Sequence, residues 1–193
     1  MSVGNWKVNV AVGSMPQKVA TAFGKVFEGF VGAEYTPIAY LGEQVVNGTN
    51  HAILAEQLLV TGKDTKNIVL IILNQRGEDF TIANIERIVE SGAELGGTVI
   101  DVKTNIPEDA KKAFDTVLGT FVGATVTPFA LLATQVVKGT NYVFAATTAP
   151  VVPEAEKHVS IVTVNSLTKK ASFADVMKSG VEVALGKPLG EWP

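Results

Sequence analysis

The 193-residue chain contains no cysteine. That removes disulfides, thiolate-ligated zinc and thiol chemistry together. It fits a reducing compartment, or a bacterial protein whose cores suffice without covalent staples. Histidine is nearly as scarce, with His51 and His158 its two occurrences. Charged residues make up 18% and sum to −3, and no block of Lys or Arg forms a phosphate-binding stripe. That balance argues against nucleic acid as a partner. The longest aliphatic run, residues 68–73, is far too short to span a bilayer. Met1-Ser2-Val3-Gly4-Asn5-Trp6-Lys7 lacks the charged region and apolar run of a signal peptide. The expectation is a cytoplasmic protein, or a secreted one if a leader has been trimmed away.

What the chain does have is apolar material, 47% of all residues, and an internal repeat. Residues 16–50 and 107–141 align at a shift of 91 with eighteen of 35 positions identical. The identities include Phe30-Val31-Gly32-Ala33 with Phe121-Val122-Gly123-Ala124, and Thr36-Pro37 with Thr127-Pro128. Such self-similarity in phase marks a tandem duplication. The units are expected at 1–94 and 95–193.

Each unit carries the same order of signals. A β-rich stretch, 6–12 in the first, precedes a proline and a periodic segment. Val19, Ala22, Phe23, Val26, Phe27 and Phe30 lie at helical spacing, as do Ala110, Ala113, Phe114, Val117, Leu118 and Phe121. Pro16 and Pro107 suit a first turn, with Ser14 and Asn105 nearby as candidate caps, and Gly32 and Gly123 suit left-handed C-terminal caps. Strand-like runs follow at 34–46, 51–61 and 66–74, and again at 125–137, 141–152 and 158–165. Short Gly, Asp or Pro breaks between them predict antiparallel hairpins. The last segments, 80–90 and 173–185, read as strand or short helix, because Ile82, Ile85 and Ile88-Val89 have helical spacing. A lone helix cannot bury so wide a stripe, so each unit is expected to be α+β, with a single helix wrapped by a curved antiparallel β-sheet. Apolar residues on both faces of 68–73 predict a second covering layer, from the other unit or from a second chain.

The two hairpin tips read Gln44-Val45-Val46-Asn47-Gly48-Thr49-Asn50 and Gln135-Val136-Val137-Lys138-Gly139-Thr140-Asn141. Asn47-Gly48 is a strong two-residue turn signal, because both residues tolerate positive φ. These segments resemble the Gln-Val-Val-x-Gly loop of the cystatins, inhibitors of papain-like cysteine proteases, and most closely that of the stefin branch. The order of strand, helix and motif-bearing hairpin is also similar. The resemblance implies two cystatin-like units, each a reversible, non-covalent plug for a protease cleft. It implies three contact elements. Gly4 stands for the N-terminal glycine. Gln44 to Gly48 and Gln135 to Gly139 stand for the first hairpin. The second hairpin is expected near Asn74, Gln75, Arg76 and Gly77 and near Asn165, Ser166, Leu167 and Thr168. Neither second hairpin has the Pro-Trp pair common in that family. In unit 2 the glycines nearest the N-terminal position, Gly96-Gly97, fall in the linker.

An enzyme would need a nucleophile, an acid–base pair or a metal cluster, and the pattern offers none. No cofactor and no metal are expected. His51 occupies the place of Tyr142 and reads as a half-buried ring. Glu108-Asp109 complement a helix dipole, and Glu86, Glu90 and Glu94 read as a solvated face. Asn47-Gly48-Thr49 fits a glycosylation acceptor, which is read as a by-product of turn chemistry. The rival to the inhibitor is a non-inhibitory binding or structural module that self-associates, as a homodimer or strand-exchanged oligomer, through apolar strands or the hairpin.

Overall fold

The computed structural model describes residues 4–60, 65–92, 97–152 and 156–177. The chain divides into two compact units, with the change between Glu90 and Ser91; the expected boundary at 94/95 lies outside the described residues. Unit 1 runs β1 (Trp6–Val12), α1 (Gln17–Phe27), β2 (Ala33–Val46), β3 (Gly48–Leu59), β4 (Thr65–Arg76) and β5 (Asp79–Glu90). Unit 2 runs β6 (Thr98–Lys103), α2 (Glu108–Leu118), β7 (Ala124–Val137), β8 (Gly139–Pro150), β9 (His158–Asn165) and β10 (Ala171–Asp175). Each unit is one five-stranded antiparallel meander, ordered β1-β2-β3-β4-β5 and β6-β7-β8-β9-β10. The pairs α1/α2, β2/β7 and β3/β8 begin and end 91 residues apart. The sequence repeat is therefore a structural repeat without slippage.

The fold class differs from the expectation. Among the described residues the chain is mostly β, with 60% strand against 13% helix in two five-stranded sheets and two helices, not a helix wrapped by a sheet in each unit. The lengths explain it. An 11-residue helix rises roughly 16 Å, whereas a 12- to 14-residue strand runs roughly 40 Å. Each helix therefore covers part of one sheet face. In unit 1 that contact joins Val19 and Phe23 to Tyr40, Ile53, Ala55, Val69, Ile71 and Leu73. In unit 2, Ala110, Ala113, Phe114 and Leu118 meet Leu131, Phe144, Ala146, Val162 and Val164. On β4 the alternate residues Ile68, Leu70 and Ile72 are buried too, so both faces of that strand are out of water within the single chain.

The open choice at 80–90 resolves as strand. Opposite β4, Leu73 pairs with Ile82, Ile72 with Asn84 and Ile71 with Ile85. Ala83 is the extra residue of a β-bulge, which places Ile82 and Ile85 on one face despite their spacing of three. A bulged strand thus imitates helical periodicity. In unit 2, β10 is a strand over Ala171–Asp175; of the expected 173–185 segment, 178–185 lies outside the described residues.

Three finer expectations also change. Pro16 and Pro107 occupy the helix N-cap positions, and no side chain caps either helix, so Ser14 and Asn105 do not serve. Phe30 and Phe121 fall beyond the helix ends and are half-exposed. Gly32 and Gly123 do have positive φ, but they shape the entry to β2 and β7. There their carbonyls accept from the Val60 and Val151 N–H groups, each at 3.0 Å. No helix among the described residues is long and apolar enough to cross a membrane.

Candidate functional site

In unit 1 the register brings the three sequence-predicted elements to one end of the sheet. Trp6 lies opposite Gln44, Val46 opposite Gly48, and Thr49 opposite Gln75. Just before β1, the Gly4 N–H donates to the Val45 carbonyl at 3.1 Å, and the Gly4 carbonyl accepts from Gln44 Nε2 at 2.9 Å. A Cβ at Gly4 would sit 2.9 Å from Val45 O, so a glycine lets the N-terminal stretch lie against the hairpin. At the turn, Gly48 has φ +100, and a Cβ there would lie 2.3 Å from the Gln75 carbonyl oxygen. Both the left-handed backbone and the close approach of the β4–β5 hairpin demand glycine. Val45 stands 67% exposed beside this contact.

Unit 2 repeats the arrangement with different covering groups. Gly139 has φ +88, and a Cβ would meet Leu167 Cβ at 2.7 Å and Ser166 Oγ at 3.2 Å. Ser166 Oγ accepts from the Thr140 N–H at 2.9 Å, and the Ser166 N–H donates to the Thr140 carbonyl at 2.9 Å. Val136 is 71% exposed, and Val137 and Leu167 are also exposed. The counterpart of Gly4 by the 91-residue shift, and Gly96 of the linker pair, lie outside the described residues.

Several predicted contact residues have partners inside their own sheet. Gln44, Asn50 and Asn74 face one another across β2, β3 and β4. Asn74 Nδ2 donates to Asn50 Oδ1 at 2.7 Å, and Asn50 Nδ2 donates to Gln44 Oε1 at 3.3 Å. Arg76 Nε adds a bond to Asn74 Oδ1 at 3.2 Å. Gln135, Asn141 and Asn165 repeat the ladder at 3.1 and 2.8 Å. Asn165 Oδ1 also accepts from the Leu167 and Thr168 N–H groups at 2.9 and 2.7 Å, so it builds its turn. The valines and turn residues thus reach outward, while the Gln and Asn positions stiffen the sheet beneath them. The central members, Asn50 and Asn141, were absent from the sequence-predicted site, although the repeated Gly-Thr-Asn was their signal.

A second polar line in unit 1 runs behind the turn. His51 is buried and stacks on Phe80, with ring centroids 5.9 Å apart. Its Nε2 lies 3.0 Å from Gln75 Oε1, an acceptor, which leaves Nδ1 to accept from the Tyr40 hydroxyl at 3.1 Å. Gln75 Nε2 then donates to the Gly77 carbonyl at 2.8 Å. Burial, with the Glu43 carboxylate second, pushes the Tyr40 hydroxyl up to about 12. In unit 2, Tyr142 replaces His51 and donates to Asp109 Oδ2 at 3.1 Å. Burial, that hydrogen bond and the Asp109 charge push the Tyr142 hydroxyl up.

The cluster nearest to catalytic composition is His158, Ser160 and Asp175. His158 Nε2 at 3.3 Å and Ser160 Oγ at 3.0 Å converge on the same Asp175 oxygen. The serine proton is committed to the carboxylate and Ser160 is fully buried, whereas a nucleophile needs its base on the hydroxyl and room for substrate. Among the described residues, no group of three or more His, Asp or Glu could hold a metal ion. No family model, curated protein or solved structure matches the chain.

Proposed function

We propose that the chain is a reversible, non-covalent inhibitor of papain-like cysteine proteases, with unit 1 as the better-equipped lobe. One observation carries the reading: Gly4, the Val45–Gly48 tip and the β4–β5 turn meet at one end of one sheet, where Val45 is left exposed. An exposed valine gains on the order of 1.5–3 kcal/mol when a partner buries it. The amide ladder beneath it holds the three segments together before binding, so little ordering entropy is spent on association. No bond to the partner is made or broken. The test is papain turnover of a small peptide substrate with micromolar chain present. Reversible inhibition that disappears in Val45→Asp/Val46→Asp, with the unfolding midpoint retained, is the expected result. Undiminished turnover at micromolar chain would end the reading.

A second reading is favoured by the ladder itself. Because Gln44 and Asn50 bond each other, and Gln135 and Asn141 do likewise, the repeated motif has an internal use that requires no protease. A non-inhibitory binding module that self-associates would show a concentration-dependent dimer by light scattering and no affinity for inactive papain.

A further inference from the structure

The two hairpin tips share a backbone but not a charge. In unit 2, Asn165 gathers three lysines from two hairpins. Its Nδ2 donates to the Lys138 carbonyl at 3.3 Å, its N–H donates to the Lys170 carbonyl at 3.0 Å, and its carbonyl accepts from the Lys169 N–H at 3.1 Å. Lys138, Lys169 and Lys170 are all exposed, and none of them enters an ion pair among the described residues. Lys169 has φ +57, a backbone conformation costly for a non-glycine residue. Val136, Val137 and Leu167, in the same two hairpins, are exposed as well.

The same places in unit 1 read differently. Asn47 replaces Lys138, and the turn carries Arg76, Glu78 and Asp79, with Glu78 paired to Lys18 at 2.9 Å. The unit 2 tip therefore carries three positive charges and three exposed apolar side chains, in a chain whose net charge is −3. The unit 1 tip is close to neutral.

We propose that the unit 2 tip is a docking surface for a protein that presents an apolar strip bordered by carboxylates, and that the unit 1 tip does not share this partner. The proposal takes from the preceding reading that the tips bind protein, but it does not require a protease. Three exposed cations complement a carboxylate border, and exposed Val136, Val137 and Leu167 supply apolar surface for such an interface to bury. A lipid surface fits less well, because the exposed apolar residues Val136, Val137 and Leu167 include none of the Trp and Tyr that anchor at membrane interfaces. A net negative chain with three local lysines is also a poor nucleic-acid ligand.

The experiment uses the full isotopically labelled chain and a synthetic peptide of five Leu-Glu repeats, followed by amide chemical shifts. The expected perturbations fall on residues 136–139 and 166–170 and leave 45–48 unmoved. Affinity drops tenfold or more as salt rises from 0.05 to 0.5 M, because screening shortens the reach of exposed charges. Lys138→Glu/Lys169→Glu/Lys170→Glu abolishes binding while the unfolding midpoint is retained. Equal perturbation of both tips, no perturbation at millimolar peptide, or co-sedimentation with phosphatidylserine vesicles in place of peptide binding would overturn the proposal. A parallel titration with inactive papain keeps the two readings apart. Shifts at 45–48 without peptide binding at unit 2 sink this inference alone, and the reverse pattern sinks the protease alone.

Discussion

Asn74 donates its side-chain amide to Asn50 Oδ1 at 2.7 Å, and 91 residues on Asn165 does the same to Asn141 at 2.8 Å. These bonds tie the first hairpin of each unit to its second. The tip and the turn behind it are therefore one rigid element, and the exposed valines ride on it.

Removing the central amide should loosen that element. Asn50→Ala leaves Asn74 Nδ2 and Gln44 Oε1 without their cross-strand partners. The expected loss is about 1–3 kcal/mol of stability, the cost of stranding part-buried polar groups. Asn141→Ala should cost a similar amount in unit 2. Denaturant midpoints for both variants measure it.

Gly48→Ala should cost more than Gly29→Ala. Both positions have positive φ, but Gly29 has no atom within 4 Å of an added Cβ, whereas Gly48 has the Gln75 carbonyl at 2.3 Å. Left-handed strain alone is worth about 1–2 kcal/mol. The steric term at Gly48 comes on top, so its thermal midpoint should fall clearly further.

Alkaline pH should act through Tyr40. Its hydroxyl ionises near 10 in the unfolded chain and at about 12 when folded. Folding favours the protonated form, so this contribution is fully present below pH 10. It is lost as pH rises from 10 to 12, because the unfolded state gives up the proton first. A shift of that size corresponds to on the order of 2–3 kcal/mol. Tyr40→Phe should flatten the fall of the urea midpoint across that window, although the variant also loses the bond to His51.

Core and surface aliphatic residues should separate sharply. Val31 and Val122 are 95% and 92% exposed, so Val31→Asp and Val122→Asp should change stability by no more than about 0.5 kcal/mol. Ile71→Ala, on the fully buried β4 face, should cost about 2–5 kcal/mol. Chemical denaturation of the three variants gives the comparison.

Much of this architecture is legible in the residues. The duplication, both helices, the strand runs and the two glycine-bent tips follow from identity, periodicity and turn chemistry, because each of those signals is local. Ile82 and Ile85 show where local reading stops. Their spacing suits a helix as well as a bulged strand, and the β4 register opposite them selects the strand. The balance between helix and strand escapes local reading for a related reason. A wide apolar stripe suits a sheet wrapped around a helix, yet Phe30 and Phe121 stand outside their helices, and strand length dominates each unit.

The site divides along the same line. The sequence by itself determined that two equivalent tips exist and that glycine turns them, since positive φ is a property of the residue and its immediate neighbours. Tertiary structure alone decided that Gln44 and Asn74 bond through Asn50, that Gly48 must make room for the Gln75 carbonyl, and that Lys138 joins Lys169 and Lys170 at one tip. Those outcomes depend on strand register and on the meeting of two hairpins, and contacts between residues 20 or more positions apart leave no local trace in the chain.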